Sequence, residues 1–143
     1  MRGIFGRDGT VMTQIIYIAA ALLVNSKGQA LLVRKRGTTA FMQPGGKIEP
    51  SEAPVHALVR ELEEELGLVI DPAAPVYLGS LKAPAANEPG HEVHCELFRV
   101  QTDAQVVPAA EIEEARWVEQ AMLGELELAP LTRDEVLPVY FLQ

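Results

Sequence analysis

The longest feature in the hydropathy pattern is Ile15 to Val24, which carries no charge and crowds its β-branched residues at the start. Followed by Asn25-Ser26-Lys27-Gly28, it predicts a buried strand, a turn, and a hairpin into a second strand over residues 29–36 with Leu31, Leu32 and Val33 in the core. Residues 91–101 alternate through Val93, Cys95, Leu97 and Val100, interrupted by Phe98, as expected for a strand with one half-buried face. Between 52 and 66 the period changes. Val55, Leu58, Val59, Leu62 and Leu66 recur at helical spacing, while Glu61, Glu64 and Glu65 fall within an arc of about 100° elsewhere on the wheel. Ser51 is the expected N-cap, with Glu52 in the first turn, Pro54 early enough to be tolerated and Gly67 closing the C-terminus.

The remaining pattern is shorter-ranged. Residues 37–40 form a loop, 41–43 a short extended piece, and Pro44-Gly45-Gly46 a turn where backbone can approach a ligand without a Cβ in the way. A proline-rich connection over 71–75 leads to a strand at 76–82, a loop at 83–90 and, past the strand at 91–101, a strand at 115–118. A short helix is expected at 119–125 and a final one at 131–142, weakened by Pro138. Strands on both sides of one central helix, with helix again at the end, imply an α+β class: an α/β/α sandwich with a mixed sheet.

Composition narrows this further. At 143 residues and 48% hydrophobic content the chain suits one globular domain, over residues 13–143, preceded by a flexible extension over 1–12 in which Met12 is an alternative start. Arg2 and Arg7 ahead of the apolar run resemble a signal peptide, but Asp8 and Gln14 intervene and cleavage would remove a strand the fold needs. The run is also short of the ~20 residues that span a bilayer, so no membrane partner is expected. A net charge of −8 argues against a long nucleic acid as partner. Cys95 is the only cysteine, which excludes an intrachain disulfide or a cysteine-based zinc site, and cytoplasmic location is expected. His91 and His94, three apart on a strand, face opposite sides and are not read as a metal pair.

The chemistry concentrates in the acidic face. Like charges at i,i+4 destabilise an isolated helix, so three carboxylates on one face call for a compensating cation. Mg²⁺ takes oxygen ligands and is typically held by one or two carboxylates together with substrate phosphates. Gly46, Glu52, Arg60, Glu61, Leu62, Glu64, Glu65, Gly67 and Leu68 stand at the spacing G-x5-E-x7-R-E-U-x-E-E-x-G-U, with U aliphatic. This stretch resembles the signature of the Nudix hydrolases and covers about a sixth of the chain.

The resemblance implies the Nudix fold and Mg²⁺-dependent hydrolysis, with Mn²⁺ as an alternative, of a pyrophosphate bond in a nucleoside diphosphate linked to another group. It implies Glu64 and Glu65 as metal ligands, Glu61 as ligand or water-activating base, and the Gly45 carbonyl as a further ligand. Glu111, six before Trp117, would complete the set, with Glu114 as second choice. Arg60, four before Glu64, can pair with it and hold its orientation, and Glu52 supports rather than ligates. Of the basic strand end Arg34, Lys35 and Arg36, at least one is placed to meet phosphate, and Arg34 and Arg36 are singled out. Lys47 could neutralise a phosphate, and Gln43, where many relatives carry an aliphatic residue, touches substrate. Trp117 is assigned to the core, with base stacking as the alternative. A small nucleotide is the expected partner, foremost a nucleoside triphosphate, modified or not, cleaved to monophosphate and pyrophosphate. ADP-ribose, to which Pro84 gives some weight, dinucleoside polyphosphates, capped RNA and a nucleotide sensor without activity stay open, as does a homodimer.

Overall fold

A computed structural model of the protein describes residues 4–5, 11–12 and 14–141. The extension expected over 1–12 therefore lies largely outside the described residues; within it β1 (Ile4–Phe5) pairs antiparallel with β2 (Val11–Met12). The main sheet contains β3 (Gln14–Val24), β4 (Ala30–Lys35), β5 (Gly45–Lys47), β6 (Val76–Pro84), β7 (His91–Gln101) and β8 (Ile112–Val118). Its order is β6-β7-β3-β4-β8, with β5 also paired to β3. The sheet is mixed: β3 runs parallel to β7 from Gln14↔His91 to Val24↔Gln101, and the other pairings are antiparallel.

The unbroken apolar run has a direct cause in this layering. Ala19, Ala21 and Leu23 face the helix α1 (Pro54–Leu66), packing with Ala57, Leu58, Leu62 and Leu66. Ala20, Leu22 and Val24 face the opposite layer, where Leu131, Val136 and Leu137 cover them. From Ala19 to Val24 the strand is buried on both faces and needs apolar residues at every position, whereas Ile15 and Tyr17 in the expected buried run are exposed. Burying each large aliphatic side chain of α1 contributes about 1.5–3 kcal/mol. The sandwich expected from the pattern is thus present, with α1 on one side and C-terminal elements on the other.

Several boundaries differ from expectation. The N-cap of α1 is Ala53, not Ser51, and no side chain caps it. Pro54 dictates this: its fixed φ suits the first helical position, and it forces the preceding residue into extended backbone, seen at Ala53 with φ −70° and ψ 142°. Ser51 instead sits in a turn at φ 65°. Gly67 closes the helix as expected at φ 64°, donating to the Glu63 carbonyl while Leu68 donates to that of Leu62. Pro44-Gly45-Gly46 does not turn. Gly45 and Gly46 enter β5, opposite Ala20 and Ala19.

Beyond β8, a 3-10 helix occupies Gln120–Glu125. The final helix is broken into a wide turn at Thr132–Val136, where Leu137 N–H reaches back five residues to the Thr132 carbonyl, and a short α2 (Leu137–Phe141). Pro138 explains the break, since it has no N–H to continue the i→i−4 ladder. Among the described residues no helix is long and apolar enough to cross a membrane.

Candidate active site

The site grows from the contact between α1 and β5. Glu61 and Glu65 sit on the half of α1 that meets the sheet, between Ala57 on one side and Leu58 and Leu62 on the other. Glycine on β5 makes room for them. A Cβ on Gly46 would overlap the Glu61 carboxylate, and one on Gly45 would overlap the backbone of Ala19 and Ala20. The closeness of helix and strand therefore depends on two missing side-chain carbons.

The three glutamates of the acidic face are not equivalent. Glu65 is 2% exposed and accepts a hydrogen bond from Gly45 N–H at 3.2 Å. Burial pushes its pKa up to about 8, and the nearby Glu61 adds to the rise. The Glu61 side chain is 15% exposed, and burial raises its pKa despite an ion pair with Arg60 at 2.8 Å. Glu64 is 56% exposed at the side chain and has Arg60 only at 3.9 Å. Equal sharing of one face, expected from the wheel, thus becomes a gradient from dry to wet.

Arg60 ties the approach to the helix together. It donates to both oxygens of Glu52 at 2.9 and 3.0 Å, to Glu61 at 2.8 Å and to the Lys47 carbonyl at 3.1 Å. The hydrogen bonds from Arg60 hold Glu52 down at about 2, and those to Glu52 and Glu61 raise the pKa of Arg60. Its main partners are therefore Glu52 and Glu61, not the Glu64 that i,i+4 spacing suggested. The loop before Pro54 brings Glu52 within reach, a contact helix geometry alone cannot predict.

Beside this contact lies a cleft of about 620 Å³. Its lining includes Lys35, Arg36, Gln43, Gly45, Gly46, Lys47, Glu61 and Glu111, with apolar wall from Ile16, Ile18, Ala20 and Val93. Thr38, Met42 and residues 85–88 contribute from the two loops flanking it. Glu111 precedes β8, and its carbonyl accepts from Arg36 N–H at 2.8 Å, which places its side chain against Lys35 at 3.4 Å. Glu114, the second choice, is instead paired with Arg34 and Arg116.

Arg34 is not brought into the cleft. Its guanidinium is spent on Glu114 at 3.4 Å and the Thr38 carbonyl at 2.9 Å. An irregularity in the β4–β8 register between Arg34 and Lys35 separates the two, and Lys35, passed over in the sequence, takes the cleft position. The signal for it was available only as one of three adjacent cations. Gln43 lines the cleft yet is 7% exposed, because its amide carbonyl is engaged by the Thr132 hydroxyl. Trp117 is absent from the lining and packs against the core on the α1 side. Pro84 ends β6, opposite Glu92.

The donor set fits a hard divalent cation. Glu65 is a buried carboxylate with one N–H donor and, among the described residues, no ion pair. The charge of Lys35 lowers its pKa less than burial raises it, so it favours the protonated form near neutral pH unless more positive charge is brought to it. Among the described residues no three His, Cys, Asp or Glu side chains close around a point by themselves. A cation sharing its ligands with phosphate and water, as Mg²⁺ does, requires no such closed cage.

A family model described as NUDIX domain matches residues 16–140. The chain is 43% identical over 60 residues to the 8-oxo-dGTP diphosphatase of Haemophilus influenzae, covering 39% of this chain and 44% of the relative. It is 41% identical over 61 residues to the RNA pyrophosphohydrolase of a Marinomonas strain, covering 43% and 37%. These matches span less than half the length of either curated relative. Among solved structures, the MutT protein of Methanosarcina mazei superposes at TM-score 0.74 with 24% identity, over 92% of this chain and 96% of that one. The dihydroneopterin triphosphate pyrophosphohydrolase of E. coli does so at 0.72 with 14% identity, over 88% and 94%. Both likenesses are of fold.

Proposed function

The chain belongs to the Nudix family, and on that premise we propose that it hydrolyses a pyrophosphate bond in a small nucleotide, foremost a nucleoside triphosphate, to give the monophosphate and pyrophosphate. The observation that carries this is the pair of half-buried to buried carboxylates, Glu61 and Glu65, packed over Gly45 and Gly46 beside a cleft that also holds Lys35, Arg36 and Lys47. The relatives named for 8-oxo-dGTP and RNA pyrophosphate hydrolysis agree with the reaction class.

Glu61, Glu64, Glu65 and the Gly45 carbonyl would hold Mg²⁺, or Mn²⁺ in its place, with Glu111 completing the set from the facing wall. The metal, when bound, neutralises pyrophosphate charge and makes a water acidic enough to attack near neutral pH. Glu61 would serve either as a ligand of the metal or as the base that accepts a proton from the attacking water. Arg60 keeps the Glu61 carboxylate fixed and at the same time anchors the loop through Glu52. Lys35, Arg36 and Lys47 offer positive charge to the phosphates in a protein whose net charge is −8. Ile16, Ile18 and Val93 give the remainder of the cleft an apolar wall. A cytoplasmic nucleotide pool is the setting this reading expects.

Arg60→Lys tests the positioning of Glu61. A lysine ammonium is a point charge that cannot serve Glu52, Glu61 and the Lys47 carbonyl at once. Turnover is expected to fall about 10–100-fold, with more Mg²⁺ needed for half-activation. An unchanged Mg²⁺ titration would remove Arg60 from the site.

The function itself is tested by offering nucleoside triphosphates, oxidised deoxynucleoside triphosphates, ADP-ribose, NADH and dinucleoside polyphosphates with Mg²⁺ or Mn²⁺ and identifying the products. Monophosphate and pyrophosphate from a triphosphate are expected. AMP and ribose 5-phosphate from ADP-ribose, with triphosphates untouched, would move the substrate assignment. No turnover of any compound would replace the enzyme by a nucleotide-sensing module.

A further inference from the structure

Gln43 is a polar side chain buried in the wall of the cleft, where it neighbours Ile18, Ala20 and Met42 in the lining. Its carbonyl is turned inward onto the hydroxyl of Thr132, a residue with no exposed surface at the start of the broken C-terminal helix. The amide nitrogen has no acceptor among the described residues, and no side-chain nitrogen or oxygen in them is fully buried without a partner. The amide nitrogen therefore keeps exposed surface, and the surface that Gln43 lines is the cleft.

Resting on the reading of the cleft as a nucleotide site, the geometry points to Gln43 as the residue that reads the base, with Thr132 as the positioning residue that decides how it reads. A free glutamine recognises adenine by accepting from N6 and donating to N7. Here the accepting half is committed to Thr132, so only donors remain. They match an edge made of acceptors: O6 and N7 of guanine or hypoxanthine, or O4 of uracil. Adenine and cytosine would set their amino groups against the N–H groups of Gln43, leaving both sides unpaired in an apolar wall. A site whose buried polar groups are left unpaired discriminates far more strongly than one that merely lacks a methyl contact. The substrate class thus narrows to nucleotides with a keto group at that edge, guanine first.

The test compares kcat/KM for GTP, ITP, UTP, ATP and CTP in Mg²⁺, alongside calorimetric binding of GMP and AMP, which carry no pyrophosphate bond to cleave. Guanine is expected to be favoured over adenine by about 10-fold or more in both measurements. Gln43→Met should erase that ratio, chiefly through a rise in KM for GTP. Thr132→Val should shrink the ratio without touching the cleft lining, because the released amide can rotate and accept. A purely structural role for the pair would lower turnover of all five nucleotides alike and leave the ratio intact, and that result overturns the proposal. So does a preference for ATP in the wild type. If Gln43→Met fails to fold, Thr132→Val decides by the same ratio. Guanine-selective binding of GMP without any hydrolysis would sink the proposed reaction and sustain Gln43; hydrolysis with equal GMP and AMP binding would do the reverse. No binding of either would end both.

Discussion

Glu65→Gln is expected to lower Mg²⁺-dependent turnover by roughly 10³-fold, about 4 kcal/mol of transition-state stabilisation, while making the metal-free protein more stable. The two effects share one cause. Glutamine keeps the shape of Glu65 and can still accept the Gly45 N–H, but it carries no charge to bury. Wild-type Glu65 binds its proton with a pKa of about 8 in the folded protein against an ordinary 4.5. Between those values the folded state holds a proton that the unfolded state has released. Metal-free stability therefore falls as pH rises from about 4.5 to about 8, by an amount on the order of 3–5 kcal/mol. Urea unfolding in EDTA across that window should show the slope in the wild type and a much flatter profile in the variant. Adding Mg²⁺ at neutral pH should then stabilise the wild type and not the variant. Full turnover by Glu65→Gln, or a wild-type profile without slope, would mean that Glu65 is not the charged group the site depends on.

Gly45→Ala is the substitution expected to cost most in stability. Gly45 sits at φ 151°, a conformation open to glycine and strained for alanine. The added methyl would also overlap the carbonyl of Ala19 and the Cα of Ala20, both in a strand with no exposure at those positions. Backbone held on its other edge by β7 cannot yield cheaply. A loss of about 3 kcal/mol is expected, lowering Tm on the order of 10 °C. Gly46→Ala makes an instructive contrast, because its methyl would meet only the end of the Glu61 side chain, which can swing away. It should leave Tm within about 3 °C and lower kcat instead, since a single overlap relieved by a rotamer change costs about 1 kcal/mol. Differential scanning calorimetry and a steady-state assay on the two variants separate these outcomes. Equal Tm values for Gly45→Ala and wild type would show that β5 does not lie against β3 as described.

Much of this was legible along the chain because it depends on local period and backbone chemistry. The helix over α1, its closing at Gly67 and the two-sided burial of Ala19 to Val24 follow from 3.6-residue spacing, a glycine at positive φ and an uninterrupted apolar run. Ser51 has a side chain suited to capping, yet the helix starts after Ala53 because Pro54 constrains that residue more strongly than a capping hydroxyl can. The reading of Pro44-Gly45-Gly46 as a turn failed for a related reason. Glycines serve turns and close approaches alike, and only the neighbouring strand distinguishes the two uses.

By itself, the sequence determined the class of fold, the presence of an acidic helix face and the family to which that face belongs. Periodicity says which side of a helix a residue takes and nothing of how deep that side lies. Tertiary structure alone decided that Glu65 is dry and Glu64 wet, because depth is set by the glycine strand packed beneath. It alone put Glu111 and Lys35 at the cleft while pairing Glu114 with Arg34 away from it, through the register of β4 against β8. It also turned the Gln43 carbonyl onto Thr132, 89 residues away. Contacts between residues that far apart cost loop entropy to form and leave no periodic trace, so they become readable only once the chain is folded.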